Sequence, residues 1–287
     1  MRLCSLLCLL LFINSLCAQA PNEKSLLWEI SGNGLKQSSF LFGTIHILCP
    51  DEIRFSPVLK EKLEISQQLI LEIDLGDPQL QTEMLKGAQM KNDTSLSDLL
   101  DEATFSQFAK DFQQLTGMPI ALVSKMKPSM IQSLLILPML GCHPSGWEQE
   151  LVKFAQTKQI PMKGLETIHE QLAVLDATSY KDQANQLQKS LSNQDSLRDA
   201  LFELLRIYKD QDISKMVDLI YKDSTDEAFT ERILTDRNER WIPKIMAETA
   251  KKASFIGVGA GHLAGERGII SLLRKEGYTL RALLHQP

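Results

Sequence analysis

The chain has 287 residues, of which 44% are hydrophobic and 23% charged, ample for a real core in one large domain or two small ones. Its formal net charge is −5 and its basic residues form no stripe, which argues against nucleic acid as a partner. After the N-terminus no segment approaches about 18 uninterrupted apolar residues, so no membrane span is expected in the mature chain.

The N-terminus has the three parts of a secretory signal. Met1-Arg2 is a short positive start, 3–13 is an apolar run too short to span a bilayer, and Ala18-Gln19-Ala20 offers a small-residue cleavage site. Residues 1–20 are therefore expected to leave on export, giving a periplasmic or secreted protein from residue 21 to 287. Cys17 lacks the small preceding residue of a lipoprotein signal. Cys4, Cys8 and Cys17 depart with this segment, so Cys49 and Cys142 remain as an even pair in an oxidising compartment and are expected to bond. Asn92-Asp93-Thr94 is a glycosylation sequon in a eukaryotic host.

Strand patterns at 26–30 and 39–44 flank the turn material Ser31-Gly32-Asn33-Gly34 and predict a hairpin. Ser56-Pro57 is an N-cap followed by a first-turn proline, opening a helix to about residue 66. A strand at 68–74 follows. Strand, helix, strand at this spacing predicts a parallel crossover. From 78 to about 252 the pattern turns helical, at 79–89, 95–116, 128–140, 146–157, 167–175, 180–191 and along a charged stretch from 196. One strand, 160–165, interrupts it. Two more strands, 254–258 and 278–283, enclose a helix at 266–275. The expected fold is α/β: a mixed central sheet formed by N- and C-terminal strands, with a large helical insertion at about 78–252 in the same domain.

Two of the five histidines stand three residues after a glycine, in Gly43-Thr44-Ile45-His46 and Gly259-Ala260-Gly261-His262. Each follows an apolar strand, and in open α/β sheets ligands bind at the carboxyl ends of strands. A buried histidine bonded to a carbonyl is the bland alternative for either. Glu72 and Asp74 end an apolar strand, where alternation puts both on one face with Ile70. Carboxylates there are costly unless paired, hydrogen-bonded or metal-bound. Glu148 falls inside the apolar face formed by Trp147, Leu151, Val152, Phe154 and Ala155, which suggests a ligand or a general base; a partly exposed acid at a helix N-terminus, helped by the dipole, is the bland alternative. The glycines at 257, 259, 261 and 265 lack the strand-end acid of a dinucleotide site and are expected to let the backbone turn beneath His262. His143, His169 and His285 have no comparable setting and are taken as surface or structural.

Taken together, Phe42-Gly43-Thr44-Ile45-His46, Leu71-Glu72-Ile73-Asp74, Gly164-Leu165-Glu166-Thr167 with Glu170-Gln171, Arg237-Asn238, and Gly257 to Leu263 with Gly277-Tyr278 resemble the TraB/GumN/Tiki family. The resemblance covers nearly all of the mature chain in order. It implies the fold shared with erythromycin-esterase-like and ChaN-like proteins, and in the Tiki branch a metal-dependent protease acting on secreted proteins. It nominates His46, Glu72 and His262 as ligands of a divalent metal (Mn, Co or Zn), and places Glu148 where the family tends to have an acid. Arg237 matches a recurring arginine, able to clamp a carboxylate or stabilise an oxyanion. Glu148 or Asp74 would then take a proton from metal-bound water or orient a ligand.

The leading expectation is an exported metal-dependent hydrolase cleaving a protein or peptide substrate. The alternatives are a metal-independent, esterase-like hydrolase using a histidine as general base, and a non-catalytic haem- or metal-binding protein. Intact-mass measurement of exported protein is expected to show loss of about the first 18–20 residues. A mature chain that keeps residues 3–13 would overturn the signal-peptide reading.

Overall fold

A computed structural model describes residues 24–223 and 226–284. The expected signal peptide lies outside these described residues. The six strands are β1 (Leu27–Gly32), β2 (Ser39–Thr44), β3 (Gln68–Leu71), β4 (Met162–Gly164), β5 (Ser254–Gly259) and β6 (Tyr278–Leu283). They form one sheet in the order β4-β3-β5-β2-β1-β6. β1 runs antiparallel to β2 and β6, while β2 and β5, β3 and β5, and β3 and β4 pair in parallel. The mixed sheet of N- and C-terminal strands with helices between them is therefore as expected. Among the described residues no helix is long and apolar enough to cross a membrane.

The hairpin turn works because Gly32, Asn33 and Gly34 all take positive φ, a region open to glycine and tolerated by asparagine. After β2, the helix Pro57–Glu64 begins where the Ser56 side chain accepts from the Leu59 N–H, and it buries Leu59 and Leu63. Its return into β3 sets the parallel arrangement that aligns three strand ends. β2 is buried along its whole length and β5 along nearly all of it. Such two-sided burial explains why both are continuous apolar runs without alternation.

Several boundaries differ from the sequence expectation for local reasons. The strand beginning at 68 ends at Leu71, so Glu72 and Asp74 lie beyond the pleat and do not share a strand face. The expected strand at 160–165 shortens to the edge strand β4. Within 95–116 the helix is interrupted, because the Asp101 side chain accepts from Thr104 N–H at 2.9 Å and starts a new helix, Glu102–Thr116. Proline at 138 turns the end of the expected 128–140 helix into a tighter turn, Leu137–Leu140. The charged stretch from 196 divides into helices Gln194–Lys209, Ile213–Asp223, Glu227–Ile233 and Thr235–Thr249.

The main core surrounds the sheet. Phe42 on β2 meets Trp147 edge-on at 5.0 Å, and Trp147 meets Phe55 at 5.4 Å, which fixes the helix Trp147–Lys158 over the sheet. Helix Thr235–Thr249 sinks Trp241, Ile242 and Ile245 into the same core. A second apolar cluster, including Phe112, Ile131, Leu135 and Leu187, closes the helices of the insertion on themselves.

The loop after β2 is tied to the segment before helix Trp147–Lys158 in two ways. Leu48 and Ser145 exchange backbone hydrogen bonds of 2.7 and 2.9 Å. Cys49 and Cys142 form the expected disulfide, with Cα atoms 5.9 Å apart. The bond closes a loop across a sequence separation of 93 residues. Removing it with Cys142→Ser is expected to lower stability by about 2–4 kcal/mol in urea denaturation, with reductant producing the same loss in the unaltered protein. Identical midpoints with and without reductant would contradict this.

Candidate active site

Because β3, β5 and β2 are parallel neighbours, their carboxyl ends meet at one sheet edge. Glu72 follows β3, His262 follows β5 within the turn Ala260–His262, and His46 follows β2. The glycines here serve close approach rather than left-handed backbone. A Cβ on Gly43 would stand 2.7 Å from a Leu263 methyl, and one on Gly261 would stand 2.9 Å from Ile220. Among the four glycines at 257, 259, 261 and 265, only Gly265 has positive φ.

His262 is buried, with its ring 4.6 Å from that of Trp241. Its Nδ1 lies 2.7 Å from Asn238 Oδ1, and its Nε2 lies 3.2 Å from Arg237 Nη1. A guanidinium can only donate, so Nε2 accepts, the proton sits on Nδ1, and Asn238 Oδ1 accepts it. The ring is neutral. Burial, reinforced by the nearby positive charges of Arg237 and His46 and opposed by Glu72, lowers its pKa to about 3.

Glu72 faces it. Oε1 accepts from Gly259 N–H at 2.7 Å, and Oε2 accepts from Arg237 Nη2 at 2.6 Å and Gln171 Nε2 at 3.1 Å. Burial disfavours the carboxylate, but His262, Arg237, His46 and the Gly259 N–H outweigh it and hold the pKa at about 2. At the low pH where Glu72 titrates, His262 is itself becoming charged, so the two effects are consistent. Arg237 also reaches Glu166: Nε donates to Oε1 at 3.0 Å and Nη2 at 2.6 Å. Glu166 Oε2 accepts from Trp241 Nε1 at 3.2 Å, and the guanidinium lies 4.6 Å over the Trp241 ring.

His46 is different, with a side chain 67% exposed. Its Nδ1 lies 2.9 Å from Glu148 Oε1, and Thr44 Oγ donates to the same oxygen. The protein around the ring opposes its charge, but the Glu148 carboxylate outweighs that and raises the pKa to about 9. Glu148 in turn is held below the usual carboxylate range: its burial is outweighed by His46 and by the Thr44 hydroxyl. The helix start that carries Glu148 is locked to the His46 loop, since Trp147 N–H donates to Ile45 O and Gly146 packs directly beneath His46 O.

The structure thus gathers Glu72, His262 and Arg237 into direct contact, and pairs His46 with Glu148. Asp74 goes elsewhere: its Oδ1 accepts from Gly76 N–H at 2.9 Å and shapes the turn after β3. His143 and His169 are exposed, as expected. Sequence reading assigned no role to Glu166, Asn238, Trp241, Gln171 or Thr44. Glu166 had a legible signal, because it directly follows the expected strand at 160–165; in the structure its N–H donates to Glu72 O at 2.8 Å.

The sequence profile of the TraB/PrgY/gumN family matches residues 26–282. The chain belongs to that family. It is 21% identical to metalloprotease TIKI1 of Danio rerio over 314 aligned positions, which cover 89% of this chain and 62% of the relative. This TraB/PrgY/gumN chain therefore spans less than two thirds of that relative's length. No solved structure matches it significantly.

His46, Glu72 and His262 are donor types that can hold a divalent metal. Both histidines have Nδ1 engaged by an oxygen acceptor, the usual support of a metal-binding imidazole, while Nε2 of His262 accepts from Arg237 Nη1 at 3.2 Å. Glu72 Oε1 stands 3.8 Å from His262 Nε2. Among the described residues, however, no three His, Cys, Asp or Glu side chains converge as a metal cluster.

The pKa shifts of the two buried groups, Glu72 and His262, predict a pH dependence with one sign. Glu72, lowered from 4.5 to about 2, contributes stability that is full above pH 4.5 and lost as pH falls toward 2. His262, lowered from 6.5 to about 3, contributes stability present above pH 6.5 and lost as pH falls toward 3. Urea stability of the unaltered protein is expected to fall from pH 6.5 downward, with a shallower slope in His262→Asn above pH 4.5. An unchanged slope in that variant would show that the imidazole is not held neutral.

Proposed function

We propose that this chain is an exported, metal-dependent hydrolase that cleaves peptide or amide bonds at the shared edge of β2, β3 and β5. The observation that carries the reading is the matched support of two imidazoles: Glu148 engages His46 Nδ1 and Asn238 engages His262 Nδ1, beside the buried, ionised Glu72. His46 and His262 through Nε2, with Glu72, would hold the ion; Zn²⁺, Mn²⁺ and Co²⁺ all accept such a set. When bound, the ion supplies Lewis acidity, polarising a carbonyl and lowering the pKa of water.

The chain's own residues have separable tasks. Asn238 fixes the tautomer of His262, and Glu148 with Thr44 fixes the orientation of His46. Glu148 therefore serves better as an orienting group than as a free base, since His46 already occupies its Oε1. Arg237 and Gln171 hold Glu72 ionised and in place. The exposed His46 ring faces solvent, where a substrate can reach it. Peptide substrates are supported by the metalloprotease name of the Danio rerio relative, and export by the sequence of the N-terminus and the Cys49–Cys142 disulfide. The alternative is a metal-independent hydrolase with His46 as general base, oriented by Glu148, which cleavage insensitive to chelator would reveal.

The test is a peptide-library assay of the purified protein with chelator, then with added Mn²⁺, Co²⁺ or Zn²⁺. Cleavage should cease with chelator and return with metal. His46→Ala and His262→Ala are expected to lose both bound metal and activity with the fold intact. Glu148→Gln should lose about 10–100-fold in metal affinity or activity. Chelator-insensitive cleavage would remove the metal from the mechanism, and full activity in either histidine variant would remove the two-histidine site.

A further inference from the structure

We infer that Arg237 acts as a resident cation that a divalent metal must displace from His262, so that the guanidinium competes with metal uptake instead of assisting it. This rests on the metal reading above. An imidazole Nε2 has one lone pair, and it cannot both accept an N–H and coordinate an ion. In His262 that lone pair is taken by Arg237 Nη1 at 3.2 Å. Asn238 holds the other ring nitrogen, so a ring flip would sacrifice a buried 2.7 Å hydrogen bond. Glu72 is less constrained: each carboxylate oxygen has two lone pairs, so Oε2 can keep Arg237 Nη2 while the group binds metal.

Glu72 Oε1 and His262 Nε2 stand 3.8 Å apart with the guanidinium bonded to both side chains. Release from His262 would not strand the arginine. Glu166 retains Nε and Nη2, and Ile233 O retains Nη1 at 3.0 Å. A divalent ion held by His262 would replace one Arg237 hydrogen bond, and the guanidinium would keep its bonds to Glu166 and Ile233 O.

Arg237→Lys separates these effects. Lysine keeps the positive charge between Glu72 and Glu166, but it lacks the planar fork that reaches Glu166, Glu72 and His262 together. Co²⁺ alone would be titrated into the unaltered protein, Arg237→Lys, Arg237→Gln, His262→Ala and the Arg237→Lys/His262→Ala double variant. Calorimetry and visible absorbance would report binding, and thermal melts would report folding. Arg237→Lys is expected to bind Co²⁺ on the order of tenfold more tightly than the unaltered protein. Arg237→Gln should bind more tightly again if it folds. His262→Ala and the double variant are expected to bind Co²⁺ equally weakly, with no gain from Arg237→Lys once the lone pair is gone. Equal or weaker binding by Arg237→Lys, while the unaltered protein binds Co²⁺, overturns the competition and leaves the metal reading standing. A gain that survives loss of His262 also overturns it. Absence of Co²⁺ binding in every protein, with all of them folded, overturns both.

Discussion

A buried guanidinium between two buried carboxylates is the constraint on which this architecture rests. Arg237, Glu72 and Glu166 have side chains only 5%, 8% and 2% exposed, so none can rely on water for its charge. Ions removed from water are tolerable only when paired closely and hydrogen-bonded fully. Each partner arrives on a different element: Glu72 beyond β3, Glu166 beyond β4, Arg237 on the helix Thr235–Thr249. Misplacing any of these elements would leave a charge buried alone. The helical insertion must therefore return its last helix to the sheet edge before β5 can complete the site. Trp241, one turn after Arg237, extends the same constraint through its bond to Glu166 and its ring under the guanidinium.

The two histidines occupy opposite electrostatic settings around this centre. His262 is enclosed and neutral; His46 is exposed and biased toward its charged form by Glu148. The enclosed half is fixed by packing and by Asn238. The open half is fixed covalently and by backbone pairing, through Cys49–Cys142 and the Leu48–Ser145 bridge. This division suits a site that must be preorganised on one side and accessible on the other. It also gives the halves opposite pH signatures, since stability contributed by a raised His46 is present below pH 6.5 and lost as pH rises through about 9.

Much of the candidate site was legible in the sequence because its residues stand at strand ends. A glycine-marked strand followed by histidine occurs twice, and Glu72 stood out as an acid near the end of an otherwise apolar run, although the expected strand 68–74 put it inside the pleat and not after it. The Cys49–Cys142 bond was likewise legible, from parity and compartment alone. Asp74 misled because alternation presumes the strand continues, whereas β3 stops at Leu71 and Asp74 serves its own turn. Glu148 was found from its place on an apolar helix face, though its use as the partner of His46 was not.

The sequence by itself determined the mixed α/β class, the strands at both ends and the residues whose placement at strand termini is chemically costly. These are local properties, carried by hydrophobic period, turn residues and the energy of leaving a carboxylate near a core. Only the tertiary structure decided which of those residues meet. Arg237 finding Glu72 and Glu166, Asn238 setting the tautomer of His262, and Glu148 holding His46 are contacts across 24 to 165 positions of sequence. No periodicity encodes such pairings, because the strand order β3-β5-β2 and the return of one helix create them.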